Sequence, residues 1–82
     1  MPSTTFIFTN VNFGSVQVQT RIGNNAAPEQ NPVGPSFTLA NNQSQPVGAD
    51  NMLYWRRWAD IDTGWSPYTT QAAFGGTVPI NI

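Results

Sequence analysis

Seven prolines and seven glycines are scattered along 82 residues, and no stretch between them sustains the 3.6-residue spacing of a helix. Proline removes a backbone donor and glycine carries excess conformational entropy, so a chain interrupted this often is confined to short extended segments joined by turns. The apolar residues repeat with period two instead. Val16, Val18, Thr20 and Ile22 alternate with Ser15, Gln17, Gln19 and Arg21, which predicts a half-buried strand with a polar outer face. Over Thr4 to Thr9, Phe6 and Phe8 point one way and Thr5, Ile7 and Thr9 the other.

The same reading places a turn at Asn10–Gly14 and ends the second strand at Gly23-Asn24-Asn25. Residues 24–35, with Pro28, Pro32, Gly34 and Pro35, read as irregular. Further strands are expected at Ser36–Ala40 with Phe37 and Leu39 inward, briefly at Gln45–Val47 on a sheet edge, at Met52–Ala59, and at Trp65–Thr70 after a turn at Asp60–Gly64. Thr77–Ile82 closes the chain with Val78, Ile80 and Ile82 on one face, and Pro79 requires an edge or a bulge. Five to seven short strands with polar turns make an all-β, single-domain antiparallel sandwich or barrel spanning 1–82. Pro32-Val33-Gly34 and Pro46-Val47-Gly48 form a faint echo, which shared turn chemistry explains at least as well as a duplicated unit.

A monomer of this size exposes roughly 4,800 Å² and buries about 60–65% of its unfolded surface. There is no cysteine, so neither a disulfide framework nor a Cys-built metal site adds stability. Association into a homo-oligomer is the remaining way to bury more surface, and it is expected here. Charged residues are 9% of the chain, with a net charge of -1, and solubility rests on Asn, Gln, Thr and Ser. Arg21, Arg56 and Arg57 are too few to neutralise a nucleic-acid backbone. The N-terminus lacks the charged and apolar regions of a signal peptide, and no apolar run approaches a membrane span. A soluble protein is therefore expected, cytoplasmic, exported without a cleaved signal, or a processed mature chain.

Asp50 to Tyr68 gathers what is chemically distinctive. It holds all three tryptophans, both tyrosines and five of the seven charged residues, Asp50, Arg56, Arg57, Asp60 and Asp62. On the strand Met52–Ala59, alternation divides Leu53, Trp55, Arg57 and Ala59 from Met52, Tyr54, Arg56 and Trp58. Leu53 and Trp55 are the expected core pair, with Arg57 at the rim of that face. Tyr54, Arg56 and Trp58 are expected outside as one patch.

Such a patch suits carbohydrate. The apolar C–H faces of a sugar ring stack on flat aromatic rings, and its hydroxyls need amides, carboxylates and the Arg fork. Trp58, Trp65 or Tyr68 supplies the platform in this reading. Arg56, Arg57, Asp60, Asp62 or a nearby Asn supplies the hydrogen bonds, and an arginine meets a sialic or uronic carboxylate if the sugar is acidic. The competing explanations are core packing of the rings and cation–π stacking of the arginines.

Asp60-Ile61-Asp62-Thr63-Gly64 alternates acids as calcium loops do, but Gln71 stands where an EF-hand needs its twelfth-position carboxylate. Turn building and pairing of Asp60 or Asp62 with Arg56 or Arg57 explain the run better. No metal or cofactor is expected. Without His, Cys or Lys, triad, Cys–His and Schiff-base chemistry are excluded, and no enzyme is expected. In composition and general character the chain resembles small lectins. The leading expectation is a non-enzymatic sugar-binding domain using Tyr54, Arg56, Arg57, Trp58, Asp60, Asp62, Trp65 and Tyr68. The rivals are an assembly subunit whose aromatic segment is an interface between copies and, less supported by only three cations, a membrane-surface protein.

Overall fold

The computed structural model describes residues 3–82. Its strands are β1 (Thr4–Thr9), β2 (Ser15–Gly23), β3 (Val33–Ala40), β4 (Ser44–Ala49), β5 (Met52–Ala59), β6 (Thr69–Gln71) and β7 (Gly76–Asn81), with one 3₁₀ turn at Pro28–Gln30. They form two sheets, ordered β4-β1-β7 and β3-β2-β5-β6, which close on one core. The expected small β-sandwich is what forms. One pairing departs from a purely antiparallel plan, because β7 runs parallel to β1. β7 is entered from β6 of the other sheet, so no hairpin dictates its direction.

Alternation decides the core. Phe6, Phe8, Val16, Val18, Val47, Leu53 and Ala59 are almost fully buried, with Leu39, Trp55, Ile80 and Ile82 beside them. Phe8 bridges the layers: its ring meets Phe37 at 5.6 Å and Trp55 at 5.5 Å, both edge to face, a geometry favoured by the ring quadrupoles. The accessible surface is 4499 Å². Among the described residues no helix is long and apolar enough to cross a membrane.

Proline placement follows the sheet order. The interior strands β1, β2 and β5 contain none, whereas the edge strands β3, β4 and β7 carry Pro35, Pro46 and Pro79. The fourth edge, β6, is only three residues long and follows Pro67. A ladder loses a donor at each proline, so prolines survive only on edges, where they also discourage pairing with another chain. Pro46 and Pro79 flank the same residue, Ile7, from its two sides.

Three strands differ from the sequence reading: the brief edge strand expected at Gln45–Val47 extends over Ser44–Ala49 and pairs with β1 throughout, and β3 and β6 have shifted bounds. β3 begins at Val33 rather than Ser36. Its extra residue is absorbed by a register shift opposite Gln19–Arg21, while Ile22 N–H donates to the Pro32 carbonyl and the Thr20 hydroxyl to that of Pro35. The strand expected at Trp65–Thr70 is confined to Thr69–Gln71. Continuing its register would set Pro67, without an N–H, opposite Arg57. Ser66 takes over there instead: its N–H donates to the Arg57 carbonyl at 2.8 Å, and its hydroxyl accepts the Arg57 N–H at 3.0 Å. The Pro-Val-Gly echo marks no repeated unit, since Val33 is 69% exposed and Val47 2%.

Two buried asparagines organise the loops. Asn10 spans loop 10–14, β3 and the turn into β4. Asn31 fills the loop 24–31, accepting the Asn25 N–H and donating to the carbonyl of Asn25.

Candidate functional site

The outer face of the four-stranded sheet carries the site, and register builds it. Arg56 stands opposite Gln19, which stands opposite Ser36; Trp58 stands opposite Gln17, which stands opposite Thr38. Directly opposed residues on antiparallel strands share a face. Two cross-strand rows therefore run side by side, Ser36-Gln19-Arg56 and Thr38-Gln17-Trp58, across about 10 Å at two strand spacings.

Arg56 is the hub. Its Nε and Nη2 both donate to Gln19 Oε1, at 3.0 and 2.7 Å. The guanidinium carbon lies 4.8 Å from the Trp65 ring centre and 5.0 Å from that of Tyr68. Each contact is worth about 0.5–1 kcal/mol at such partly exposed positions. Their structural effect is to hold the segment 65–68 against β5 where the regular ladder is missing.

Trp58 is 37% exposed and packs its ring edge-on to Trp65, with centres 5.7 Å apart at 81°. Its indole N–H donates to the Asp62 carbonyl at 3.1 Å, so it presents carbon surface rather than a donor. Asp62 shapes the turn after β5: its N–H donates to the Ala59 carbonyl, and its carboxylate accepts the Ala59 N–H at 2.9 Å. The same carboxylate pairs with Arg57 at 3.4 Å, a partly solvated pair contributing about 0–1 kcal/mol.

The segment 50–68 thus divides between two faces. Tyr54, Arg56, Trp58, Trp65 and Tyr68 belong to the outer face. Arg57 lies at the rim of the inner face, as expected, stacked over Phe13 at 4.7 Å. Tyr54 shares the outer face but is only 5% exposed, which removes it from ready contact with a ligand. At that end Arg21 donates to the Tyr68 hydroxyl and to the carbonyls of Glu29 and Asn31, drawing the segment and the loop 24–31 over the sheet. Asp60 lies apart from the cluster, with its N–H on the Ser15 carbonyl and its carboxylate against Gly14.

Trp65 borders two shallow depressions. One, of about 250 Å³, is lined by Arg57, Asp62, Thr63, Gly64, Trp65 and Ser66. The other, of about 200 Å³, lies between Trp65 and the strand residues Gln17, Gln19, Ser36 and Thr38. No group of three acidic side chains that could hold a metal ion occurs among the described residues. Gln17, Gln19, Ser36 and Thr38 are members of the site that the sequence reading did not single out. The outward set Ser15, Gln17, Gln19 and Arg21 was visible as the polar half of an alternation. Its adjacency to Arg56 and Trp58 depends on β2 lying beside β5, which nothing local encodes.

Fold and site together define a small β-sandwich with an aromatic and amide-rich outer sheet face. Comparison with family models, curated proteins and solved structures returns no match.

Proposed function

We propose that this chain is a non-enzymatic, lectin-like carbohydrate-binding domain with Trp65 at the centre of its site. The observation that carries the reading is the position of Trp65, a partly exposed ring bordering both the outer-face groove and the neighbouring loop depression. Trp58 packs against it at a steep angle and Arg56 lies over its π-system, so the ring is held before any ligand arrives. A pre-positioned aromatic platform saves ordering entropy on binding. A sugar ring stacks its C–H face there, and its hydroxyls find amides and hydroxyls rather than a field of charge. Depressions this open give weak single sites, which association of several copies would convert to avidity.

The test is a glycan array probed with the native chain, Trp65→Ala and Trp58→Ala. Binding is expected in the native chain, lost in Trp65→Ala and weakened in Trp58→Ala, with near-UV circular dichroism confirming the fold. A folded native chain that binds no glycan overturns the reading.

A second reading has its own support. Ile61, 76% exposed, sits in the turn that Trp58 caps through Asp62, and a large aliphatic side chain beside an exposed indole suits contact between copies of an assembly subunit. Because three of the four sheet edges carry proline and the fourth, β6, is only three residues long, such association would use this face rather than strand addition. Sedimentation of Ile61→Asp separates the two: an assembly subunit dissociates, whereas the lectin keeps its glycan binding.

A further inference from the structure

The groove on the β2–β3 side of Trp65 has lining chemistry that specifies a ligand class. Gln17, Gln19, Ser36, Thr38 and the Trp65 ring supply its side walls, and none of them is charged. Gln19 is the informative member. Both bonds from Arg56 fall on its Oε1, which fixes the amide so that Nε2 is the atom left to donate. A flipped amide would set two donors against the guanidinium. Beside it, the side chains of Gln17, Ser36 and Thr38 make no hydrogen bond within the described residues and lie on an exposed or half-exposed surface.

None of the three arginines is among the residues lining this groove. Arg21 is held by the Tyr68 hydroxyl and two backbone carbonyls. Arg57 is paired with Asp62 and stacked on Phe13. Arg56 spends its Nε and Nη2 on Gln19 and lies against two rings. A carboxylate or sulfate entering the groove would shed water onto a lining of amides, hydroxyls and rings that includes no arginine, and desolvating an anion without a bidentate partner is costly. A hydroxyl meets a fixed amide donor, a second amide and two hydroxyls that serve as donor or acceptor.

Building on the lectin reading above, we infer that the β2–β3 groove is a subsite for a neutral saccharide. One ring stacks on Trp65, and its hydroxyls bond to Gln17, Gln19, Ser36 and Thr38. Arg56 acts as a positioning residue: it touches Gln19 rather than the sugar and sets which atom of that amide faces the ligand.

The experiment compares neutral with sialylated and uronic oligosaccharides on one array. It uses the native chain, Trp65→Ala and the double variant Gln17→Ala/Thr38→Ala, whose truncated side chains are exposed and spare the core. Neutral glycans are expected to bind, with little change between low and high salt. The double variant is expected to bind about tenfold more weakly, the loss of about two hydrogen bonds. Arg56→Lys is expected to reduce affinity and to blunt discrimination between epimers, since an unlocked Gln19 offers either amide atom. Neutral binding that is full in the double variant and lost in Trp65→Ala overturns the groove and leaves the lectin reading standing. Selective binding of acidic glycans overturns it equally. Binding of no glycan removes the lectin reading and the groove with it.

Discussion

Asn10 offers the sharpest test of how this fold is held. It is fully buried. Its Nδ2 donates to the carbonyls of Phe13 and Leu39 at 2.9 and 3.0 Å, and its Oδ1 accepts the Phe13 N–H at 3.0 Å. Its main chain bonds Gln43 and Asn42 across the turn. Asn10→Ala deletes the three side-chain bonds, at about 1 kcal/mol each, and strands part-buried backbone groups at some further cost, so about 3–5 kcal/mol is expected. A chain of 82 residues has only about 4–12 kcal/mol to lose, and a domain this small gives up about 4–8 °C per kcal/mol. The melting midpoint should fall by at least about 12 °C. Asn10→Asp keeps the shape and replaces the donor with an oxygen aimed at two carbonyls. Burial and those carbonyls raise the folded-state pKa of the new carboxyl above its unfolded value. The variant's penalty is then full at neutral pH, recedes as pH falls through the raised folded value, and is least below the unfolded value of about 3.9. Thermal unfolding by near-UV circular dichroism at several pH values measures both. A loss under about 1 kcal/mol in Asn10→Ala, or an Asn10→Asp penalty that grows on acidification, would refute the reasoning.

Further outcomes follow from the same geometry. A methyl at Gly23 would collide with the Asn31 side chain, so Gly23→Ala should cost about 1–3 kcal/mol and speed hydrogen exchange at the Asn25 amide, whose acceptor is Asn31 Oδ1; an unchanged exchange rate counts against it. Trp55 Nε1 is buried without a partner among the described residues, so Trp55→Phe removes an orphan donor costing about 1–3 kcal/mol, and its net loss in urea unfolding should stay well below the ~3–5 kcal/mol typical of truncating a core aromatic to alanine. Pro46→Val with Pro79→Val restores outward N–H groups on both edges of the small sheet. Analytical ultracentrifugation should show new self-association, and an unchanged distribution argues against edge protection.

Much of the fold was legible because its determinants are local. The alternation in Ser15–Ile22 placed Val16, Val18 and Thr20 in the core and Gln17 and Gln19 outside, as observed. Pro79 announced an edge strand, and β7 is one. Where prolines stood close together, the same rule gave too little strand. Pro35 is tolerated inside β3 because that strand lies at an edge and a register shift takes up the extra residue. At Trp65–Tyr68 the rule gave too much, since Ser66 replaces the ladder through its side chain. The candidate site was half legible. Arg56, Trp58, Trp65 and Tyr68 come together, because two lie on one strand and the other two follow a short turn that folds back against it. Arg57 takes the other face, as alternation along the strand required, whereas Tyr54 is covered and Asp60 stands apart through tertiary neighbours (the Arg21 crossing and Gly14) invisible at the level of sequence spacing. Gln17, Gln19, Ser36 and Thr38 entered only through strand order.

The most direct measurement is a titration of the isotope-labelled chain with a neutral oligosaccharide, following the three tryptophan indole N–H resonances by two-dimensional NMR. The three report distinct surroundings: Trp55 in the core, Trp58 bonded to the Asp62 carbonyl, and Trp65 at the mouth of the groove. A saturable shift of Trp65, a smaller one of Trp58 and a stationary Trp55 are expected. Three stationary indoles at ligand concentrations in the millimolar range, where weak lectin sites fill (about −4 kcal/mol at 1 mM), would contradict the placement of a sugar site on this face.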